Sequence, residues 1–383
     1  MYLERPLHLK ALLEKKSFFL LGPRATGKTS LIRHQLSHTV LRIDLLRSDV
    51  FLRLNSQPWE LETIINAHQA SSPQLVVIDE IQKIPLLLNE VHRLIEEKNI
   101  RFLLTGSSAR KLKAAHVNLL AGRAWEAQLF PLTFREIPNF SLEKYLTIGG
   151  LPVVYLSENP REELIAYVNT YLKEEIQAEA VVRNIQSFSR FLTMSALTNG
   201  KMLNFSTLSS DAGIPASTLR EYYQILQDTL VGFLLPAWTK TVKRKAMSTS
   251  KFYFFDIGVA HELSSITKIE PHSDLYGQAF EHFIAMELRA YLSYTRKHLS
   301  LSYWAAKNGQ EVDFIIGDSV AIEVKTTKSV SAKHLKGLKT LQEENICKRY
   351  FLISLDKVHR ISDGIEIMYW EDFLNHLWDE KCF

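Results

Sequence analysis

The run Gly22-Pro23-Arg24-Ala25-Thr26-Gly27-Lys28-Thr29 meets the pattern G-x-x-x-x-G-K-S/T in full. Glycines let a backbone turn sharply and bring its N–H groups onto phosphate oxygens, and a helix opening at that point adds a positive field. A lysine in this place suits the β- and γ-phosphates, and the threonine hydroxyl suits Mg²⁺. The apolar run before the pattern reads as a strand and the residues after it as a helix. That is the context the chemistry needs, so Gly22 through Ser30 are expected to hold ATP with Mg²⁺.

Such a loop works with a second strand that ends in acid. Leu75-Val76-Val77-Ile78-Asp79-Glu80 supplies it, with Asp79 placed to reach the metal through water and Glu80 to polarise the attacking water. A third strand, Phe102 to Thr105, runs into Gly106-Ser107-Ser108. Its hydroxyls suit a position between the hydrolytic water and the γ-phosphate, with Ser107 first and Thr105 second. Arg123 is the candidate for transition-state charge, from within the chain or from a neighbouring copy.

A second constellation lies near the C-terminus. Glu311-Val312-Asp313 and Ala321-Ile322-Glu323-Val324-Lys325 read as neighbouring strands joined by a turn. Glu323 and Lys325 are two apart and share a face. Asp313 and Glu323 on adjacent strands suit a divalent ion, Mg²⁺ or Mn²⁺, and Lys325 suits an attacking hydroxide. The other reading of the same residues is a salt-bridged edge. Glu281 stands at helical spacing with Ala285, Leu288 and Leu292, which puts a carboxylate on an apolar stripe. Its burial is costly unless a metal or Lys325 relieves it.

The elements that must position these groups follow from the pattern. Short apolar runs at 17–21, 40–45, 75–79 and 101–105 alternate with helical spacing at 28–36, 59–69 and 85–97, which implies a parallel sheet with helices on both faces. Residues 161–197 are poor in strands and helical in spacing. Residues 203–225 read as helix-turn-helix around Gly213. Apolar strands at 230–238 and 252–256 flank a basic stretch at 239–251, the pattern of a wing. Ser217, Thr218, Arg220, Tyr222 and Tyr223 would face DNA from the second helix, and Lys240, Lys243, Arg244 and Lys245 from the wing. The alternative use of this module is protein packing. A helix at 277–292, strands at 301–306, 311–316, 320–324 and 349–354, and a helix near 331–341 complete an α/β unit.

The chain has 383 residues, too many for one ordinary core at about 100–200 residues per domain. We divide it at 1–150, 151–250 and 251–383. The composition is 46% hydrophobic and 23% charged with a net charge of +4, which permits nucleic-acid binding without arguing for it. No run approaches the roughly 18 apolar residues of a membrane span, and the N-terminus lacks a signal-peptide pattern. Cys347 and Cys382, the only cysteines, show no metal or disulfide spacing, which fits a reducing cytoplasm.

Five stretches together carry a resemblance: GPRATGKTSL, LVVIDEIQK, LLTGSSA, LAGR followed by Phe130-Pro131-Leu132-Thr133-Phe134-Arg135-Glu136, and Gly149-Gly150-Leu151-Pro152. Over nearly its whole length the chain resembles the bacterial and archaeal AAA+-superfamily ATPases whose C-terminal domain is related to PD-(D/E)XK nucleases. The resemblance implies a P-loop core, a helical or winged-helix module, and a restriction-endonuclease-like α/β domain. It carries over a metal and catalytic cluster to Glu281, Asp313, Glu323 and Lys325. Val312 stands where the nuclease motif has its naming proline. It also implies ATP-dependent processing of nucleic acid, DNA first. The alternative is an ATP-driven switch or assembly factor, with the C-terminal domain binding a protein partner without cutting. A homo-oligomer is the setting in which Arg123 would serve a neighbour.

Overall fold

The computed structural model describes residues 2–36, 40–68, 75–110, 112, 120, 122–172, 185–241 and 243–382. Parts of four expected segments therefore lie outside the described residues: Gln69 of the helix at 59–69, 173–184 of the helical stretch at 161–197, Ala121 of the segment around Arg123, and Val242 of the wing. The chain forms two compact units. The first runs to Phe130 and includes Ile225–Val231, and the second takes the described residues from Pro131 to Gln224 and from Gly232 onward. Among the described residues no helix is long and apolar enough to cross a membrane.

The first unit is built on five parallel strands: β1 (Ser17–Leu21), β2 (Leu41–Asp44), β3 (Leu75–Asp79), β4 (Arg101–Gly106) and β5 (Ala124–Gln128). Their order is β2-β3-β4-β1-β5. All five residues of β1 are buried, as expected of a strand covered on both faces. Phe19, Leu21, Val76, Ile78, Phe102 and Leu104 pack with Leu61, Ile65, Leu87, Val91 and Leu94 from the covering helices. Each such side chain contributes roughly 1.5–3 kcal/mol on burial. Because β1 lies between β4 and β5, the loop after Leu21 emerges in the middle of the sheet's C-terminal edge, where open α/β sheets bind their ligands.

The second unit contains two patterns. Helices Phe205–Ala212 and Ala216–Asp228, the second of which belongs to this unit as far as Gln224, are joined through Gly213, which sits at φ 62, and Asn204 caps the first by accepting from the Ser206 and Thr207 N–H groups. They are followed by the antiparallel pair β6 (Gly232–Leu235) and β7 (Lys251–Phe254). The larger pattern is a mixed sheet of β8 (Leu301–Ala305), β9 (Glu311–Ile316), β10 (Val320–Lys325), β11 (Arg349–Ser354), β12 (Arg360–Ser362) and β13 (Ile365–Tyr369). The order is β12-β13-β11-β10-β9-β8, antiparallel from β8 to β10 and parallel through β10, β11 and β13. The helix Asp274–Tyr294 packs beside it, opened by the Ser273 hydroxyl accepting from the Tyr276 N–H at 3.2 Å.

Two expectations shift here. The proposed boundary at 150 falls inside the second unit. Leu132 N–H donates to Gly150 O at 2.7 Å, Gly150 N–H to Asp256 at 2.7 Å, and Phe134 N–H to Glu287 at 2.7 Å. Phe134 and Phe140 stack among Phe283 and Trp370, so apolar burial draws this segment into the second unit's core. Nor does the basic stretch stand out as a free wing. Trp238 is 5% exposed within the core of the mixed sheet, and backbone bonds join Trp238 to Tyr303 and Met247 to Ala305.

Candidate functional site

The phosphate-loop backbone is already set for close approach. Ala25 (φ 61) and Gly27 (φ 95) take left-handed conformations. A Cβ at Gly22 would lie 2.5 Å from the Leu129 carbonyl oxygen, so no side chain fits there. Thr26 turns inward, its hydroxyl donating to Pro23 O at 2.8 Å. The buried Arg5 donates to Thr26 O at 2.8 Å and to Phe130 O at 2.6 Å, tying the loop to the segment after β5. Helix Lys28–Gln35 starts directly after Gly27, which points its N-terminus into the loop. Lys28 is buried, with its ammonium 2.6 Å from Gly22 O and 3.1 Å from Pro23 O, inside the ring the loop forms. Arg24 is half-buried, while Ala25 and Ser30 face outward.

The acidic strand end meets this loop. The Thr29 hydroxyl lies 3.5 Å from Asp79 Oδ2, so the hydroxyl and carboxylate expected to share Mg²⁺ are brought together. Burial raises the Asp79 carboxyl above its ordinary range, and the neighbouring Glu80 and Asp44 add to the effect. A divalent cation beside this pair would relieve that cost, so the residues present suit Mg²⁺ bound with ATP. Thr105, the second-choice hydroxyl, donates to Asp79 Oδ1 and accepts from the Glu80 N–H at 3.1 Å.

Glu80 is buried and sits at φ 60, a left-handed conformation that a non-glycine residue holds only where its surroundings enforce it. Ser107 donates to Glu80 Oε2 at 3.2 Å, so the structure joins the expected base and the expected hydroxyl directly. Gln82, which the sequence reading passed over, completes the set. Its amide donates to Glu80 Oε2 and to Ser107 Oγ, the latter at 3.1 Å. Its Oε1 is buried without a hydrogen-bond partner among the described residues. The available signal was its place two residues after Glu80 in Asp-Glu-Ile-Gln.

Arg123 is not brought to the loop. Ala124 pairs with Ser17 at the start of β1, four residues before the loop-proximal Leu21, which is about 13 Å of strand. Arg123 there forms an exposed ion pair with Glu96. A transition-state role from within this chain does not fit that position, because parallel pairing puts Arg123 at the opposite edge of the sheet.

In the second unit Glu281, Asp313, Glu323 and Lys325 do converge, but as ion pairs. Lys325 contacts Glu323 Oε1 and lies 3.7 Å from Asp313 Oδ2, which also accepts the Val324 N–H at 2.7 Å. Glu281 is met by Lys251 at 3.0 Å and by the Tyr253 hydroxyl, and Lys251 also contacts Glu311. Burial alone would lower the Lys251 ammonium, but Glu281, Tyr253, Asp313 and Glu311 hold it well above its ordinary value. Burial raises Glu281 and Glu323. Among the described residues no three His, Cys, Asp or Glu side chains group as a metal site. Lysine ammoniums thus meet Glu281 Oε1, Asp313 Oδ2 and Glu323 Oε1, while Glu323 Oε2 is buried with no hydrogen-bond partner among the described residues. Lys251 had been read as the end of the basic wing. The missed signal is strand alternation, which puts Lys251 and Tyr253 on one face of β7.

The presumed DNA face also changes. Tyr222 and Tyr223 are buried against Phe188, Phe191 and Phe252, leaving Ser217 and Arg220 exposed and Thr218 half-buried. Lys240 pairs with Asp318 and Arg244 with Glu343. Lys243 donates from its N–H to Glu344 and from its side chain to Glu343 O.

Residues 14–138 match a family model described as AAA domain. Residues 139–270 and 276–373 match models described as domains of unknown function, DUF8612 and DUF4143. An uncharacterized protein of Haemophilus influenzae is 22% identical, covering 92% of both chains. An uncharacterized protein of Methanocaldococcus jannaschii is 24% identical over 62% of this chain and 57% of its own. The solved structure of AMPPCP-bound DnaA from Aquifex aeolicus is 12% identical with a TM-score of 0.29, covering 57% of this chain and 85% of its own. The AAA match and the loop geometry together support ATP binding and hydrolysis by the first unit. A mixed-sheet domain follows it.

Proposed function

We propose that this chain is a Mg²⁺-dependent ATPase whose turnover governs how its second unit engages nucleic acid, with DNA the first candidate. The observation that carries the ATPase reading is the Thr29 hydroxyl 3.5 Å from Asp79, beside a phosphate loop with no room for side chains at Gly22. Thr29 and Asp79 would hold Mg²⁺, which would supply charge neutralisation at the phosphates. The loop N–H groups and Lys28 bind and orient the triphosphate. Glu80 accepts a proton from water, and Ser107 and Gln82 hold its Oε2. Purified protein should hydrolyse ATP. Lys28→Ala should lower turnover at least about 100-fold, and Glu80→Gln should lower kcat while nucleotide binding persists. Equal turnover in wild type and Lys28→Ala would sink the reading.

Nucleic acid would meet the second unit through Ser217, Thr218 and Arg220, and binding should weaken in Arg220→Ala. The carboxylates that would hold a second metal for cleavage are engaged by Lys251 and Lys325. If branched, linear and single-stranded DNA stay intact with Mg²⁺ or Mn²⁺, cleavage is excluded and binding remains to be measured.

A second reading is an ATP-driven switch or assembly factor that binds a protein partner. It is favoured by Lys240, which pairs with Asp318, by Arg244, which pairs with Glu343 and Glu344, and by Lys243, whose side chain donates to Glu343 O, all within the same unit. Capture of one specific protein in ATP but not ADP, without DNA affinity, would select it. Arg123 enters this scheme only from a neighbouring copy. ATP-dependent self-association by light scattering, with turnover lost in Arg123→Ala, is the corresponding test.

A further inference from the structure

Residues 2–8 precede the first helix, Leu9–Lys15, yet they are bound to the phosphate end of the first unit. Leu3 and Leu7 are buried. Gln35, the last residue of helix Lys28–Gln35, grips the segment with both ends of its amide: the nitrogen donates to Leu7 O at 2.9 Å and the oxygen accepts the Leu9 N–H at 2.7 Å. That anchorage does not involve Arg5, which reaches from the same segment to the loop itself. Arg5 is buried, its Nη1 donating to Thr26 O at 2.8 Å and its Nη2 to Phe130 O at 2.6 Å.

One planar guanidinium therefore spans both ends of the loop. Thr26 stands directly before Gly27. Phe130 follows Leu129, whose N–H donates to Leu21 O at 2.8 Å and whose carbonyl oxygen lies against Gly22. The two donors form a rigid fork, so the two carbonyls are held at a set separation, which a lysine ammonium on its flexible stem does not impose. The direction of the Thr26 carbonyl also matters. In a planar trans peptide the C=O and the next N–H point opposite ways. With Thr26 O turned to Arg5, the Gly27 N–H is turned away from it. No acceptor among the described residues takes that N–H. In a loop of this pattern such N–H groups are the ones that cradle phosphates.

We propose that Arg5 is a positioning residue of the nucleotide site: its hold on Thr26 O and Phe130 O aims the Gly27 N–H at the β-phosphate and fixes the span of the loop. The segment ahead of the first helix then belongs to the ATP machinery. This rests on the ATPase reading. ATP and ADP both carry a β-phosphate, so the contact is made equally before and after hydrolysis. Its loss raises KM and the ADP dissociation constant together and leaves kcat in place.

The test compares wild type, Arg5→Met and Arg5→Lys as full-length chains, by calorimetric titration with ADP and Mg²⁺ and by steady-state ATP hydrolysis. Arg5→Met keeps the bulk and removes the fork. Its ADP dissociation constant and its KM for ATP are expected to rise at least about tenfold, with kcat within about threefold of wild type. Arg5→Lys keeps the charge without the fork and should weaken ADP at least about threefold. A lower melting temperature of the nucleotide-free chain with ADP affinity unchanged overturns the proposal, and so does a fall in kcat with KM unchanged. If Arg5→Met does not fold, Arg5→Lys decides: weaker ADP binding supports the proposal, and equal binding overturns it. Wild type that neither binds ADP nor hydrolyses ATP overturns the ATPase reading itself. Wild-type turnover that the Arg5 variants match in KM and kcat overturns this proposal alone.

Discussion

Single residues at the phosphate site divide into those whose job follows from their own chemistry and those defined by a neighbour. Lys28, Thr29 and Asp79 are of the first kind. Gln82 is of the second: it touches no expected phosphate position but bonds both Glu80 and Ser107. As a positioning residue it should act on kcat rather than on affinity. In Gln82→Leu, kcat is expected to fall about tenfold with the ATP dissociation constant unchanged, as steady-state kinetics beside calorimetry would show. A fall in affinity with kcat intact would make Gln82 a structural residue only.

Elements hold these residues, and their tolerances are narrow at a few points. Gly22 is one: with Leu129 O 2.5 Å from the position of a Cβ, Gly22→Ala must move backbone. It should cost about 1–3 kcal/mol, read from chemical denaturation, and should weaken ATP binding too. The helix Asp274–Tyr294 is another, because it buries ionisable groups. Burial pushes Glu287 up from 4.5 to about 8, although its oxygens accept from Phe134 N–H and Trp378 Nε1. The unfolded chain therefore ionises Glu287 before the folded chain does. The stability linked to this group is complete below pH 4.5 and is lost as pH rises through about 8. Burial pulls His282 down from 6.5 to about 3, which works in the opposite sense: its stability is complete above pH 6.5 and is lost as pH falls through about 3. Glu287→Gln, whatever its constant cost, should remove the decline between pH 5 and 8 when denaturation midpoints are compared across that range. An unchanged slope would show that Glu287 is not its source.

At the scale of the molecule, two units with separate cores should respond separately to damage. Trp238, at the end of the apolar strand expected at 230–238, is buried in the core under the mixed sheet. Trp238→Ala should destabilise the second unit by about 3–5 kcal/mol while ATP affinity at the first stays within twofold. Calorimetric melting paired with nucleotide titration would check this, and a matching loss of ATP affinity would refute it.

Much of the first unit was legible in the sequence because its signals are contiguous. A strand, a glycine loop and a helix in one run dictate their own backbone, and the chemistry of Gly22 to Ser30 needs little from elsewhere. Asp79, Glu80 and Ser107 were legible because parallel strands deliver their C-terminal ends to the same edge. The same rule kept Arg123 from the site, but only strand register showed which edge it occupied. In the second unit the sequence determined which carboxylates share strands and helix, and the tertiary structure decided what neutralises them. Lys251 lies 30 residues from Glu281 and looked like one cation among several in a basic stretch. Charge is carried by single residues, but its compensation is a long-range property. A buried carboxylate takes whichever cation the packing brings within reach, and here packing brought a lysine.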